Sequence, residues 1–348
     1  MIDSESDNHI INDEKLGLLK KNYKYNQLFC FNVPYQFIDD YTSIDRLIHI
    51  YKMMNSQYRP QFDRINPKLK HGKVKENEKI RMLLRNKEVF PLQRPVHIGL
   101  IGDKYYIYNA NIIRFNESKQ DFKGITFYAS HCPIYDRYRG DIDLFLKMLI
   151  DNEIHFVCIP AEFEDDIVKS YLWFPTTENK TIRYSNKCCE GIKRNCDYEL
   201  TCISKRIWLN DSQDVFEDKA LVYKYKICVL DKINQINHTI DILHFENWHN
   251  SNLNFNINYI SLFMSLSFTS TMATKNKKVL VHSGGGAGRT GIMIAAMEIL
   301  YLKLTANDSI NHLLMEIIMY MKQFRTKWFQ QETDFILLHK ALHNLLNS

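Results

Sequence analysis

The residues with the most chemistry to offer lie in HSGGGAGRTG, positions 282 to 291. An apolar run, KKVLV, leads into His282 and Ser283. A turn of Gly284, Gly285, Gly286, Ala287 and Gly288 follows, then Arg289, Thr290 and the apolar helix-like stretch GIMIAAMEIL. A strand that feeds a tight turn and then a helix aims several backbone N–H groups at one point. The helix macrodipole adds positive potential there, which suits a tetrahedral dianion. Arg289 can grip two oxygens of such an anion through its planar fork, which a lysine cannot do. Thr290 is expected to cap the helix, with its hydroxyl facing the loop. Ser283 stands where a cradle of this kind can carry a nucleophile, but a serine needs a base, and none is evident in the sequence beside it. His282 is read as a buried histidine with its ring satisfied rather than as that base.

Two other glycine patterns fit less well. The Walker loop needs a lysine after its last glycine, and here Ile292 follows Gly291. The dinucleotide pattern G-x-G-x-x-G is formally met by Gly286, Gly288 and Gly291. However, only helical sequence follows, and an Arg-Thr pair inside that turn is out of place.

The elements that must position this loop are legible in outline. PVHIGLIG and KYYIYNANIIRF (95 to 115) are rich in β-branched and aromatic residues and predict strands, as do HFVCIP (155 to 160), LVYKYKICVL (221 to 230), HTIDILHF (238 to 245) and KKVLVH. Helical spacing marks 41 to 54, 140 to 154, 258 to 268, 290 to 304, 308 to 325 and 332 to 346. Strands dominate the middle and helices the end. That pattern predicts a single α/β (α+β) domain over 26 to 348, with a twisted mixed sheet flanked by helices, preceded by a flexible arm over 1 to 25.

Composition narrows the function. The 348 residues are 45% hydrophobic and 24% charged, with a net charge of +5. Lys and Arg are scattered rather than striped, which argues against nucleic-acid binding and leaves room for an acidic ligand. The polar start, MIDSESDNHIINDEKLG, has no signal-peptide pattern, and no apolar run is long enough to span a bilayer, so a cytoplasmic, monomeric protein is expected. Cys188, Cys189, Cys196 and Cys202 lie close together without zinc-ligand spacing. They are read as free thiols, with no metal and no cofactor expected.

HSGGGAGRTG resembles the signature loop of the protein tyrosine phosphatases, H-C-x-x-G-x-G-R-[ST]-G, with Ser283 in the place of the cysteine. Other segments follow in the family's order. HFENWHNSNL resembles the mobile Trp-Pro-Asp loop, with Trp248 kept, His249 for proline and Asn250 for the aspartate. YNAN (108 to 111), FYASHCPIYD (127 to 136) and KSYLWFP (169 to 175) resemble further family segments. RTKWFQQETDFILLHKAL (325 to 342) resembles the last motif, with Gln330 at the glutamine that positions water. RNKEVFPLQRPV (85 to 96) resembles the segment whose tyrosine stacks on the substrate ring, and Asn86 stands in that place.

The resemblance implies a phosphate site built from Ser283, Gly284, Gly285, Gly286, Ala287, Gly288 and Arg289, supported by His282, Thr290, Trp248 and Gln330. It also implies lost catalysis. A serine is not a thiolate at neutral pH, and Asn250 has no proton to give a leaving group. The expected partner is a phosphotyrosine-containing protein or peptide, bound and not hydrolysed. A phosphate-independent interaction scaffold and a residual weak phosphatase are the alternatives. Richness in Asn, Ile, Lys and Tyr is also similar to the tyrosine phosphatase-like proteins of insect bracoviruses, which implies interference with signalling in host immune cells. An invertebrate cellular pseudophosphatase is similar in the same respects.

Overall fold

Short apolar runs without alternation suit strands covered on both faces. FVCI and KVLVHS are two of these, and they lie at the centre of the sheet. The computed structural model describes residues 95–101, 104–115, 124–134, 141–163, 171–185, 196–210, 221–248, 257–305, 310–322, 324–325, 328–329 and 331–347, all within the unit Tyr41–Ser348. The expected arm over 1 to 25 and helix over 41 to 54 lie outside the described residues, as do Asn86, His249, Asn250 and Gln330.

In chain order the described elements are β1 (Pro95–Ile101), β2 (Lys104–Ile113), β3 (Thr126–His131), α1 (Ile142–Asp151), β4 (Phe156–Ile159), β5 (Thr181–Ser185), β6 (Asp197–Asn210) and β7 (Leu221–Asp231). They continue with β8 (Ile236–Phe245), α2 (Ile257–Ala273), β9 (Lys278–Ser283), α3 (Gly288–Thr305), α4 (Ile310–Lys322) and α5 (Glu332–Asn347). The nine strands form one sheet in the order β1-β2-β3-β9-β4-β8-β7-β6-β5. Its centre, β3-β9-β4-β8, is parallel, and both flanks are antiparallel. The mixed α/β class expected from the sequence is the one observed.

Helices cover both faces, and β4 shows how. Val157 and Ile159 join the apolar cluster that contains Leu146 and Leu149 of α1. Cys158, between them, points the other way, and its Sγ lies 3.4 Å from Ser267 Oγ of α2. Successive strand residues face opposite sides, so α1 and α2 lie on opposite faces. Helices α3 and α5 pack with α2, α4 packs with α3, and α3 also lies against β3 and β9.

Three strands were not foreseen as strands: β3, β5 and β6. The longest, β6 (DYELTCISKRIWLN), pairs with β7 along Tyr198–Asn210, with register shifts at Cys202/Ser204 and Ile207/Leu209. Each shift breaks the period-2 pattern that reveals a strand. No described helix is long and apolar enough to cross a membrane.

Candidate anion-binding site

β9 is wedged between two parallel neighbours, so its last residues are held in fixed register. His282 lies opposite Ser130 and Ser283 opposite His131. Just beyond β3, the Cys132 N–H donates to the Ser283 carbonyl at 2.9 Å and to the Gly284 carbonyl at 3.1 Å. The chain then enters the turn, and the Gly291 N–H closes the first helical turn of α3 on the Ala287 carbonyl at 2.8 Å.

The turn presses against β3 at Gly286. Its φ is +67°, and a Cβ there would sit 2.3 Å from the Ser130 carbonyl oxygen and 2.6 Å from the His131 nitrogen, so a side chain has neither a comfortable backbone nor room. At Gly285 a Cβ would meet nothing within 4 Å. The turn's carbonyls are gripped from the protein side. Trp328 Nε1 donates to the Gly286 carbonyl at 3.2 Å, and Arg325 Nη2 reaches the Gly285 carbonyl at 3.5 Å. In a planar trans peptide the N–H points away from the carbonyl. The N–H groups of Gly286 and Ala287 therefore face away from Trp328 and Arg325.

Arg325 is itself buried. Its Nη1 donates to Asn111 Oδ1 at 3.2 Å, to the Asn109 carbonyl at 3.4 Å and to the Ala129 carbonyl at 3.5 Å. Burial pulls its pKa down to about 9, so the guanidinium keeps its charge at neutral pH. Asn111 also donates to the Phe324 carbonyl at 2.8 Å, tying β2 to the segment that carries Arg325.

Ser283 is 4% exposed, and its hydroxyl shares a hydrogen bond of 2.9 Å with the Thr290 hydroxyl. In that contact the Thr290 hydroxyl faces the loop. Its place as a cap is corrected, because α3 starts at Gly288 and Thr290 lies within the first turn. The glycine-rich turn lets the helix begin before the threonine. His282 is fully buried. Its Nε2 accepts from the Trp173 indole at 3.1 Å, and its ring meets Phe145 edge-on at 5.8 Å. An Nε2 occupied in this way is not a base directed at Ser283.

Arg289 is half-buried, and its Nη1 donates to the backbone carbonyl of Trp248. Trp248 is 2% exposed, with its ring against Phe245 and Phe263. The arginine thus links the segment after β8 to the start of α3. Among the residues expected at the site, Ser283 to Thr290, His282 and Trp248 are brought together.

Several residues at the site were not foreseen in that role. Arg325 and Trp328 lie in the quoted segment 325 to 342, but nothing local marks them as supports of a loop 40 residues earlier. Asp334 places its carboxylate against the start of α3, where a Cβ on Gly288 would lie 3.0 Å from Oδ1. Burial pushes its pKa up to about 6, with the charge of Arg289 pulling the other way. On the β3 side, His131 Nε2 and Asp141 Oδ2 are 2.9 Å apart in a buried pair, and Tyr108 stacks on His131 at 5.1 Å and 14°. Tyr108 is a core residue. The described cysteines, Cys132, Cys158, Cys196, Cys202 and Cys228, are free thiols. Among the described residues no group of three or more His, Cys, Asp or Glu could hold a metal ion.

A family model described as Protein-tyrosine phosphatase matches residues 81–344, about three quarters of the chain. No curated protein matches the chain.

Proposed function

Because the chain belongs to the protein-tyrosine phosphatase family, we propose that it acts as a pseudophosphatase, capturing a phosphotyrosine-bearing protein or peptide without hydrolysing it. The observation that carries this reading is the contrast within one loop. The carbonyls of Gly285 and Gly286 are held from behind and Arg289 stands in the first turn of α3, as an anion receptor needs. The residue after His282 is a serine whose hydroxyl is shared with Thr290, 2.9 Å away. Threonine is no base, so the hydroxyl keeps its proton at neutral pH and attacks phosphorus poorly. Asn250, where the resemblance places a general acid, has no proton to donate.

Replacing a thiolate by a hydroxyl also removes a negative charge beside the incoming dianion, which favours binding. Held in this way, the ligand is shielded from active phosphatases, and the protein competes for phosphotyrosine signals inside the cell as a monomer. On the likeness to the bracovirus proteins, those signals belong to host immune cells.

Calorimetry with a tyrosine-phosphorylated peptide and its unphosphorylated twin tests the proposal. Phosphate-dependent binding that is lost in Arg289→Ala, with no turnover of an aryl phosphate, is expected. Equal binding of both peptides, unchanged in Arg289→Ala, would assign the protein to the scaffold reading. Turnover that disappears in Ser283→Ala would make it an enzyme.

A further inference from the structure

The first turn of α5 delivers a carboxylate to the back of the proposed anion site. Asp334 Oδ1 and Oδ2 lie 3.0 and 3.1 Å from where a Cβ on Gly288 would be, against the first residue of α3. An anion in the loop and this carboxylate would share one helix N-terminus and one guanidinium, Arg289. Two like charges in such a space do not both remain ionised without cost, so each weakens the other.

We infer that Asp334 couples phosphate capture to proton uptake: the site holds its oxyanion most tightly when the Asp334 carboxyl is protonated, and releases it more readily when that carboxyl is ionised. This inference rests on the capture reading. The proton affinity of Asp334 supports it, because burial already brings the group to about 6, within a unit or so of neutral pH. By linkage, a bound anion raises that affinity further, and protonation strengthens anion binding by the same factor.

Among the described residues, few charges surround Asp334. From α3, Arg289 acts on Asp334 and favours its ionised form. Trp328 and Phe329, which pack beside Gly291, carry no charge, and Glu332 precedes Asp334 in the same turn of α5. Farther round the loop stand Arg325, near the Gly285 carbonyl, and the His131–Asp141 pair on β3.

Sulfate is the probe of choice, since it keeps its charge where phosphate esters titrate, near pH ~6. The full-length protein, Asp334→Asn and Asp334→Glu would be titrated with sulfate at about pH 5.5, 6.5 and 8, in paired buffers of different ionisation heat. In the wild type, proton uptake on binding is expected near pH ~6.5, with affinity falling as the pH rises. Asp334→Asn should take up less, bind about tenfold tighter at pH ~8, and lose most of the pH dependence. Asp334→Glu should keep the uptake, which separates charge from a folding defect. Equal affinity and equal uptake in the wild type and Asp334→Asn would overturn the inference while leaving capture standing. If neither protein binds sulfate or a phosphopeptide, capture itself fails, and the inference with it.

Discussion

Adding one methyl group at Gly286 should damage the protein, and adding the same methyl one residue earlier should not. The Gly286 Cβ would fall 2.3, 2.5 and 2.6 Å from the Ser130 oxygen, the Ser130 carbon and the His131 nitrogen, all backbone atoms of a strand in the middle of the sheet. Those atoms cannot step aside as the end of a flexible side chain would. Overpacking of this sort costs about 1–3 kcal/mol. The φ of +67° adds about 1–2 kcal/mol for a residue with a Cβ. Together these give about 2–5 kcal/mol for Gly286→Ala, a large fraction of the roughly 5–15 kcal/mol that holds a typical domain folded. At Gly285 a Cβ would touch nothing within 4 Å, so Gly285→Ala should stay within about 0.5 kcal/mol of the wild type. Urea unfolding of the three proteins, followed by tryptophan fluorescence, gives the comparison. Equal midpoints for Gly286→Ala and wild type, or equal losses in both variants, would refute the close approach of this turn to β3.

Three other variants probe the core and the proposed loss of chemistry. Glu298 in α3 is 3% exposed, its Oε2 has no hydrogen-bond partner among the described residues, and burial holds its pKa well above the usual carboxylate range. The unfolded chain gives up that proton at lower pH than the folded one, so stability falls as pH rises above the unfolded value near 4.3. Glu298→Met should therefore stabilise the protein by about 1–3 kcal/mol at neutral pH, with the gain shrinking below pH ~4, as read from melting curves across pH. Arg325→Met removes donors from Asn109, Asn111, Ala129 and Gly285 together. It should cost about 2–4 kcal/mol in urea unfolding and weaken oxyanion binding in parallel. The double change Ser283→Cys with Asn250→Asp should bring measurable hydrolysis of a small aryl phosphate, where the wild type matches Ser283→Ala. Retained phosphopeptide binding with no hydrolysis in the double variant would show that more than these two groups has been lost.

The most local feature was the most legible. KKVLVHSGGGAGRTG shows its strand, turn and helix in consecutive residues, and the structure has β9, the turn and α3 in that order. Helix α1 and strands β4 and β8 were visible for the same reason: their patterns repeat within a few positions. β6 was hidden because DYELTCISKRIWLN mixes charged and apolar residues and carries two register shifts. The supports of the loop were hidden for another reason. Arg325 reaches Asn109 across 216 positions of sequence, and Trp328 reaches Gly286 across 42. Contacts of that range leave no trace in spacing. Asp334 is the clearest case. In sequence it is one more acid at the start of a helix, where acids are common, and only the packing of α5 on α3 sets it beside Gly288.

The proposed function requires an anion receptor that has outlasted its nucleophile. A crystal structure with tungstate present tests that most directly. The ion should lie at the start of α3, within hydrogen-bonding distance of the N–H groups of Gly286 and Ala287 and of the Arg289 guanidinium. An empty loop in abundant tungstate, with Arg289 turned away from it, would contradict the account.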